Sequence, residues 1–151
     1  MATRPLPCLT LEAAKIASAA AEEKARQLGI DFNIALVDST LTLLHFTRMP
    51  TAKLTSIPIA IDKAFTAAGH RQPTSAYQSK NFLPGGPAYG IHNSNGGRFT
   101  LIGGGVPIEV DGVVVGAIGV STGTPAQDAE VAGAGVEAVR RFVERKRGAK
   151  L

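Results

Sequence analysis

The chain of 151 residues has no tryptophan, and Phe, Trp and Tyr together make up only 5% of it. So few rings leave a thin platform for stacking bases, which argues against nucleic-acid partners. There is one cysteine, Cys8, so no disulfide can close within the chain, as fits a reducing compartment. Cys8 lies in the proline-rich start RPLPCL with no histidine or other base near it in sequence, which argues against a reactive thiol. No apolar stretch is long and plain enough to cross a membrane; the Ala/Gly-rich run Val131–Val139 is short and carries Glu137. The opening MATRPLPCLTLEAAK lacks the apolar core of a secretory signal, so a cytoplasmic location and no membrane partner are expected. The three histidines, His45, His70 and His92, lack the spacing of a closed zinc site. No Gly-x-Ser-x-Gly elbow, no nucleotide fingerprint after the first strand and no Gly-Lys-Ser/Thr phosphate loop is present.

What is there fits one domain spanning the whole chain, with an ordered core over about residues 9–147 and a frayed tail at 148–151. A domain of this size buries roughly 70% of the surface its unfolded chain exposes, enough to stand without staples. The net charge is +4, and much of the excess lies in Arg140, Arg141, Arg145, Lys146, Arg147 and Lys150. This reads first as a solvated helix end that complements the negative pole of the helix dipole, and second as a nucleic-acid or acidic-surface contact.

Hydropathy and punctuation give the elements. Thr10 is an N-cap for a helix over Ala13–Arg26, with Ile16, Ala20 and Ala21 as a buried stripe and Gly29 as its stop. Phe32–Val37 and Leu41–Phe46 read as strands joined by Asp38-Ser39-Thr40. A helix follows over about Thr55–Ala68, with Pro58 in its first turn, and a short one starts at Thr74. Three strands are expected at Phe99–Ile102, Val106–Val110 and Val113–Val120, the last two joined by the hairpin pair Asp111-Gly112. Thr124-Pro125 then opens a helix that runs to about Arg147. Hairpins dominate this order, so a mostly antiparallel sheet covered by helices is expected.

Asn81–Gly97 is too dense in glycine and proline for regular structure, and long loops in compact domains tend to be functional. Pro84, Gly85, Gly86, Tyr89, Gly90 and Asn95 are its candidate ligand-binding residues. Its glycines let backbone approach a ligand and leave N–H groups for an anion. The competing reading is a tight connection packed at a subunit interface. His92, in the same loop, can ligate iron or move protons near neutral pH. Lys63, in an otherwise apolar helix, can hold a carboxylate or, if desolvated, act as a base; the alternative is a salt-bridged lysine. Thr66 shares its face, and Arg48 can pair with an anionic ligand. Asp128 reads as a charge on a helix N-terminus.

The segments IPIAIDKAFTAA (Ile57–Ala68), PGGPAYGIHNSNGG (Pro84–Gly97), GGGVPIEVDGVVVGAIGVS (Gly103–Ser121) and GTPAQDAEVAGAG (Gly123–Gly135) resemble successive motifs of the GlcG/HbpS-like haem-degrading family. That family includes the haem-binding C-terminal domain of PduO-type proteins. The resemblance covers about Thr10 to Phe142. It implies an α/β (α+β), profilin-like fold, with a central, mostly antiparallel five-stranded sheet flanked by helices. It also implies a homo-oligomer, with octamers in the family, and haem as a cofactor. It strengthens the functional reading of Lys63, whose Lys-Ala-x-Thr-Ala segment recurs in the family. The chain departs from the family pattern at the turn Asp38-Ser39-Thr40-Leu41, at Pro50-Thr51 and at His92.

Three functions follow. The first is a small-ligand binder that holds haem or a similar anionic molecule at Pro84–Gly97, with His92 as metal ligand and Arg48 and Lys63 as charge partners. The second is a cofactor-independent enzyme (isomerase, hydrolase, deaminase or cyclase) acting on a small carboxylated metabolite, with His92 and Lys63 catalytic and loop N–H groups plus Asn95 stabilising negative charge. The third is a structural or accessory oligomer packed through small residues such as Ala129, Ala132, Gly133 and Ala134.

Overall fold

A computed structural model describes residues 1–150. Its first helix, α1 (Leu11–Leu28), begins where the Thr10 side chain accepts the Ala13 N–H, and it ends at Gly29 in the left-handed conformation. Its buried stripe is Ala13, Ala14, Ala17, Ala21 and Ala25. Of the expected stripe, Ala21 is buried, while Ile16 and Ala20 are only half-buried. The face is rotated because α1 packs on the last helix, α3 (Pro125–Gly148), and only small side chains let the two axes approach. A β-carbon at Gly135 would lie 2.9 Å from the Ala17 carbonyl oxygen. Ala132, one of the residues expected to pack subunits, is therefore fully buried within its own chain.

Four strands follow: β1 (Asn33–Asp38), β2 (Leu43–Arg48), β3 (Gly105–Val110) and β4 (Val113–Ser121). They form one antiparallel sheet in the order β2-β1-β4-β3. Asp111 and Gly112, both with positive φ, make the two-residue turn between β3 and β4. The five-stranded expectation fails at Phe99–Ile102, which joins no ladder. Its polar groups go elsewhere: the Thr100 N–H donates to Thr66 Oγ1, and buried Phe99 packs edge-on against His70. The segment is strapped onto a helix end and never reaches the sheet.

That helix, α2 (Ser56–His70), covers one face of the sheet, over Ala35, Val37 and Ala117. α1 and α3 cover the other, over Ile34, Leu36, Ile118 and Val120. The alternation along β1 and β4 thus assigns each side chain to one of two cores. α2 lies close to the sheet because β4 has no side chain at Gly119: a β-carbon there would sit 2.0 Å from the Ala60 carbonyl oxygen. The short helix expected from Thr74 is a 3₁₀ turn, Thr74–Gln78. α3 starts with a reciprocal cap, in which Thr124 accepts from the Gln127 N–H and Gln127 accepts from the Thr124 N–H, with Pro125 as first helical residue. It runs through Gly148, the first residue of the tail expected to fray; Leu151 lies outside the described residues.

Candidate functional site

The expected site residues fall into four places. The first is the loop between Lys80 and Gly97, a chain of 3₁₀ turns at Lys80–Phe82, Ile91–Asn93 and Asn95–Gly97. Gly86 is required by close approach, since a β-carbon there would lie 2.3 Å from the Lys80 carbonyl oxygen. Many of the loop's N–H groups are already spent on the loop itself. Gly86 donates to Leu83 O, Ala88 to Asn81 O, Tyr89 to Gly86 O and Gly97 to Ser94 O. Gly86 and Gly97, two of the glycines expected to offer N–H groups to an anion, are thus engaged within the loop. Along the outside runs an open groove of about 470 Å³. Leu83, Pro84, Gly85, Gly86 and Pro87 line it, together with Asn81 and the cationic residue Lys80. Past Gly90, whose φ is positive, the His92 ring meets exposed Tyr89 edge-on at 5.9 Å. His92 Nδ1 is buried and has no hydrogen-bond partner among the described residues.

The second place is a half-open cavity of about 150 Å³ at the C-terminal end of α2. It brings together Thr66 and Asn95, as a shared site would require, and adds His70, Phe65, Phe99 and Leu41. Thr66 Oγ1 is committed to structure, since it lies within hydrogen-bond reach of the Asp62 and Arg98 carbonyls and accepts from Thr100 N–H.

The third is the interior. Lys63 Nζ donates to Asp128 Oδ2 at 2.8 Å and to the Val120 carbonyl at 2.9 Å, and both side chains are almost fully buried. Asp128 Oδ1 accepts the Gly123 N–H. Burial pushes the Lys63 ammonium below its ordinary range, and the bond to Asp128 opposes that shift. Burial likewise raises the Asp128 carboxyl, against the pull of Lys63. Space for the pair comes from Gly104, whose φ is +127°; a β-carbon there would lie 2.8 Å from Lys63 Nζ. Lys63 is thus a bolt between α2, β4 and α3, and its ammonium does not face the loop. Asp128, read from sequence as a helix-end charge, is its partner.

The fourth place holds Arg48 alone. It ends β2 opposite Asn33, which in turn lies opposite Ser121 and donates through Nδ2 to the Lys53 carbonyl. This is the N-terminal end of α2, whereas Leu41, in the turn before β2, rests against Gly69 at the other end. The 15 residues of α2 span about 22 Å, which separates Arg48 from Asn95 and from the loop. In the basic tail, Arg140 and Arg141 pair with Glu137, and Arg147 pairs with Asp111, as befits a solvated face. No group of three or more potential metal-ligating side chains occurs among the described residues, and no helix there is long and apolar enough to cross a membrane.

Sequence reasoning missed Lys80, which had a signal in its place at the edge of the breaker-rich loop. It read His70 as a cation suited to the end of its helix and Leu41 as part of a turn that departs from the family pattern, and only the fold brings the two beside Asn95.

These features define a small α+β domain with a four-stranded antiparallel sheet and an ordered Pro/Gly-rich loop bearing an imidazole. The model of the family described as haem degrading protein HbpS-like matches residues 9–137, and the chain belongs to that family. It is 36% identical over 126 residues to an uncharacterised 15.0 kDa protein of Citrobacter freundii from the dhaT-dhaS intergenic region, covering 83% of this chain and 88% of that one. It superposes on the Klebsiella pneumoniae protein ORFY with a TM-score of 0.89 at 31% identity, covering 93% of this chain and 96% of that one. On a haem complex of PduOC the TM-score is 0.81 at 31% identity, over 87% and 94% of the two chains.

Proposed function

We propose that this protein binds haem, or a similar flat anionic molecule, on the outer face of the Pro84–Gly97 loop. The observation that carries this is the loop groove: about 470 Å³, lined by Leu83, Pro84 and Pro87 and by the cationic residue Lys80. That volume lies within the range of small-molecule sites, while the 150 Å³ cavity beyond is too small for a macrocycle. Lys80 would pair with a carboxylate, and exposed Leu83 and Tyr89 would cover apolar ring surface. His92, whose ring stands beside exposed Tyr89 in the same loop, is the candidate axial ligand. Haem, when bound, supplies redox-active iron; the chain's own residues bind and orient it. Family membership and the haem complex of the related PduOC support the choice of ligand. A second copy of the chain would cover the outer face of the ligand, and light scattering with and without haemin tests that.

Haemin titration tests the reading. A saturable Soret shift that is lost in His92→Ala and weakened in Lys80→Ala is expected. No shift, or a shift unchanged in His92→Ala, overturns it. The acid–base alternative loses one of its two catalytic groups, because Lys63 is held in the interior by Asp128.

A further inference from the structure

We infer that the cavity at the C-terminal end of α2 is a second site, separate from the loop groove, that takes a single aromatic ring carrying one hydroxyl group. Its volume of about 150 Å³ equals that of an engineered protein cavity known to accept benzene. Its aromatic walls are held in place. Arg98 lies 3.9 Å over the Phe65 ring and is itself fixed by Asp62, at 2.9 Å. Phe99 meets the His70 ring edge-on at 5.2 Å, which sets the imidazole's orientation.

Three polar side chains line this space, Thr66, His70 and Asn95, and the Thr66 hydroxyl is already engaged by backbone groups. Asn95 Nδ2 donates to Ser94 Oγ, and its amide oxygen makes no hydrogen bond among the described residues. Imidazole and amide each donate and accept, which suits a hydroxyl. A carboxylate is disfavoured, because the closing carbonyls of α2 place the negative pole of the helix here. Backbone strain is concentrated at the same point. Leu41 (φ +64°) and Asn95 (φ +53°), two of the five non-glycine residues with positive φ, both line the cavity. A leucine in that conformation is costly, and strained residues cluster where ligands bind. The Leu41 side chain also lines a second, more open depression of about 610 Å³ flanked by Arg4 and Arg71. It is the partition that limits the site to one ring.

Phenol, benzene and benzoate titrated into the haem-free protein, followed by amide NMR, test this. Phenol is expected to saturate with a dissociation constant of about 1 mM, shifting Leu41, His70, Asn95 and Phe99. Benzoate at the same concentration should leave those amides unmoved. Asn95→Gly keeps the positive φ and removes the amide; it should weaken phenol about tenfold and leave benzene unchanged. Leu41→Gly relieves the strain and should admit 2-naphthol, which the parent protein excludes. Absence of phenol shifts at these amides, equal shifts with benzoate, or an unchanged phenol affinity in Asn95→Gly overturns the proposal. None of these readings depends on haem, so they stand or fall apart from the loop groove.

Discussion

At the centre of the molecule the Lys63 ammonium and the Asp128 carboxylate meet in a space from which water is almost wholly excluded. On the surface, the loop from Pro84 to Gly97 carries Tyr89 half exposed and a groove open to solvent. Both regions are polar and glycine-lined, and the fold uses glycine in opposite ways in them. Gly104, Gly105 and Gly119 remove side chains so that a helix and a buried charge can press on the sheet. The glycines of the loop let a chain of tight turns satisfy its own backbone. The first region is a fastener and the second is a platform. A titratable residue in a glycine-rich setting is a site only where a ligand can reach it.

The largest effect should come from breaking the fastener. Asp128→Ala leaves a buried ammonium with only the Val120 carbonyl and should cost about 3–5 kcal/mol. Thermal unfolding should show this as a fall in Tm of about 10 °C. Replacing both partners, Lys63→Met with Asp128→Leu, should recover most of that loss, because no unpaired charge remains. A double variant as unstable as the single one would mean that the pair contributes more than its own neutralisation.

A smaller effect is expected at Gly119→Ala, where the new methyl meets the Ala60 carbonyl and α2 must lift. Denaturant unfolding should give a loss of about 1–3 kcal/mol. On the platform the expectation reverses. Tyr89→Ala should change stability by no more than about 0.5 kcal/mol while weakening haemin binding. A large stability loss at Tyr89 would erase the contrast between the two regions.

The smallest effect concerns the tail. Arg140, then Arg141, hold the Glu137 carboxyl well below its usual value, at about 2. A carboxyl lowered in the folded chain favours folding above the ordinary carboxylate range, and this contribution is lost as pH falls toward 2. The site is exposed, so salt should screen it. Carboxyl NMR should show Glu137 titrating near 2 at low salt and moving upward in 1 M salt.

Much of the architecture could be read from local patterns. The Thr10 and Thr124 caps, the Asp111-Gly112 hairpin and the apolar alternation of β1 and β4 each depend on neighbours a few residues away. The misplaced fifth strand shows the limit of that reading. Phe99–Ile102 has the composition of a strand, but Thr66, more than thirty residues earlier, takes its backbone N–H. Lys63 shows the same limit in the site. Its apolar helix signalled burial, yet nothing near it in sequence named Asp128, 65 positions on.

The sequence by itself determined the three long helices, the four strands, the family, and the loop as the breaker-rich stretch on which a ligand can be sought. Caps, turns and hydropathy periods are short-range, and any chain carrying them will express them. Only the tertiary structure decided which polar residues face solvent and which face each other. It withdrew Lys63 into the core, set Arg48 at the far end of α2, and brought Leu41, His70 and Asn95 around one cavity. Those outcomes depend on how α2 seats on the sheet over Gly119 and Gly105, a long-range packing fact that no local pattern encodes.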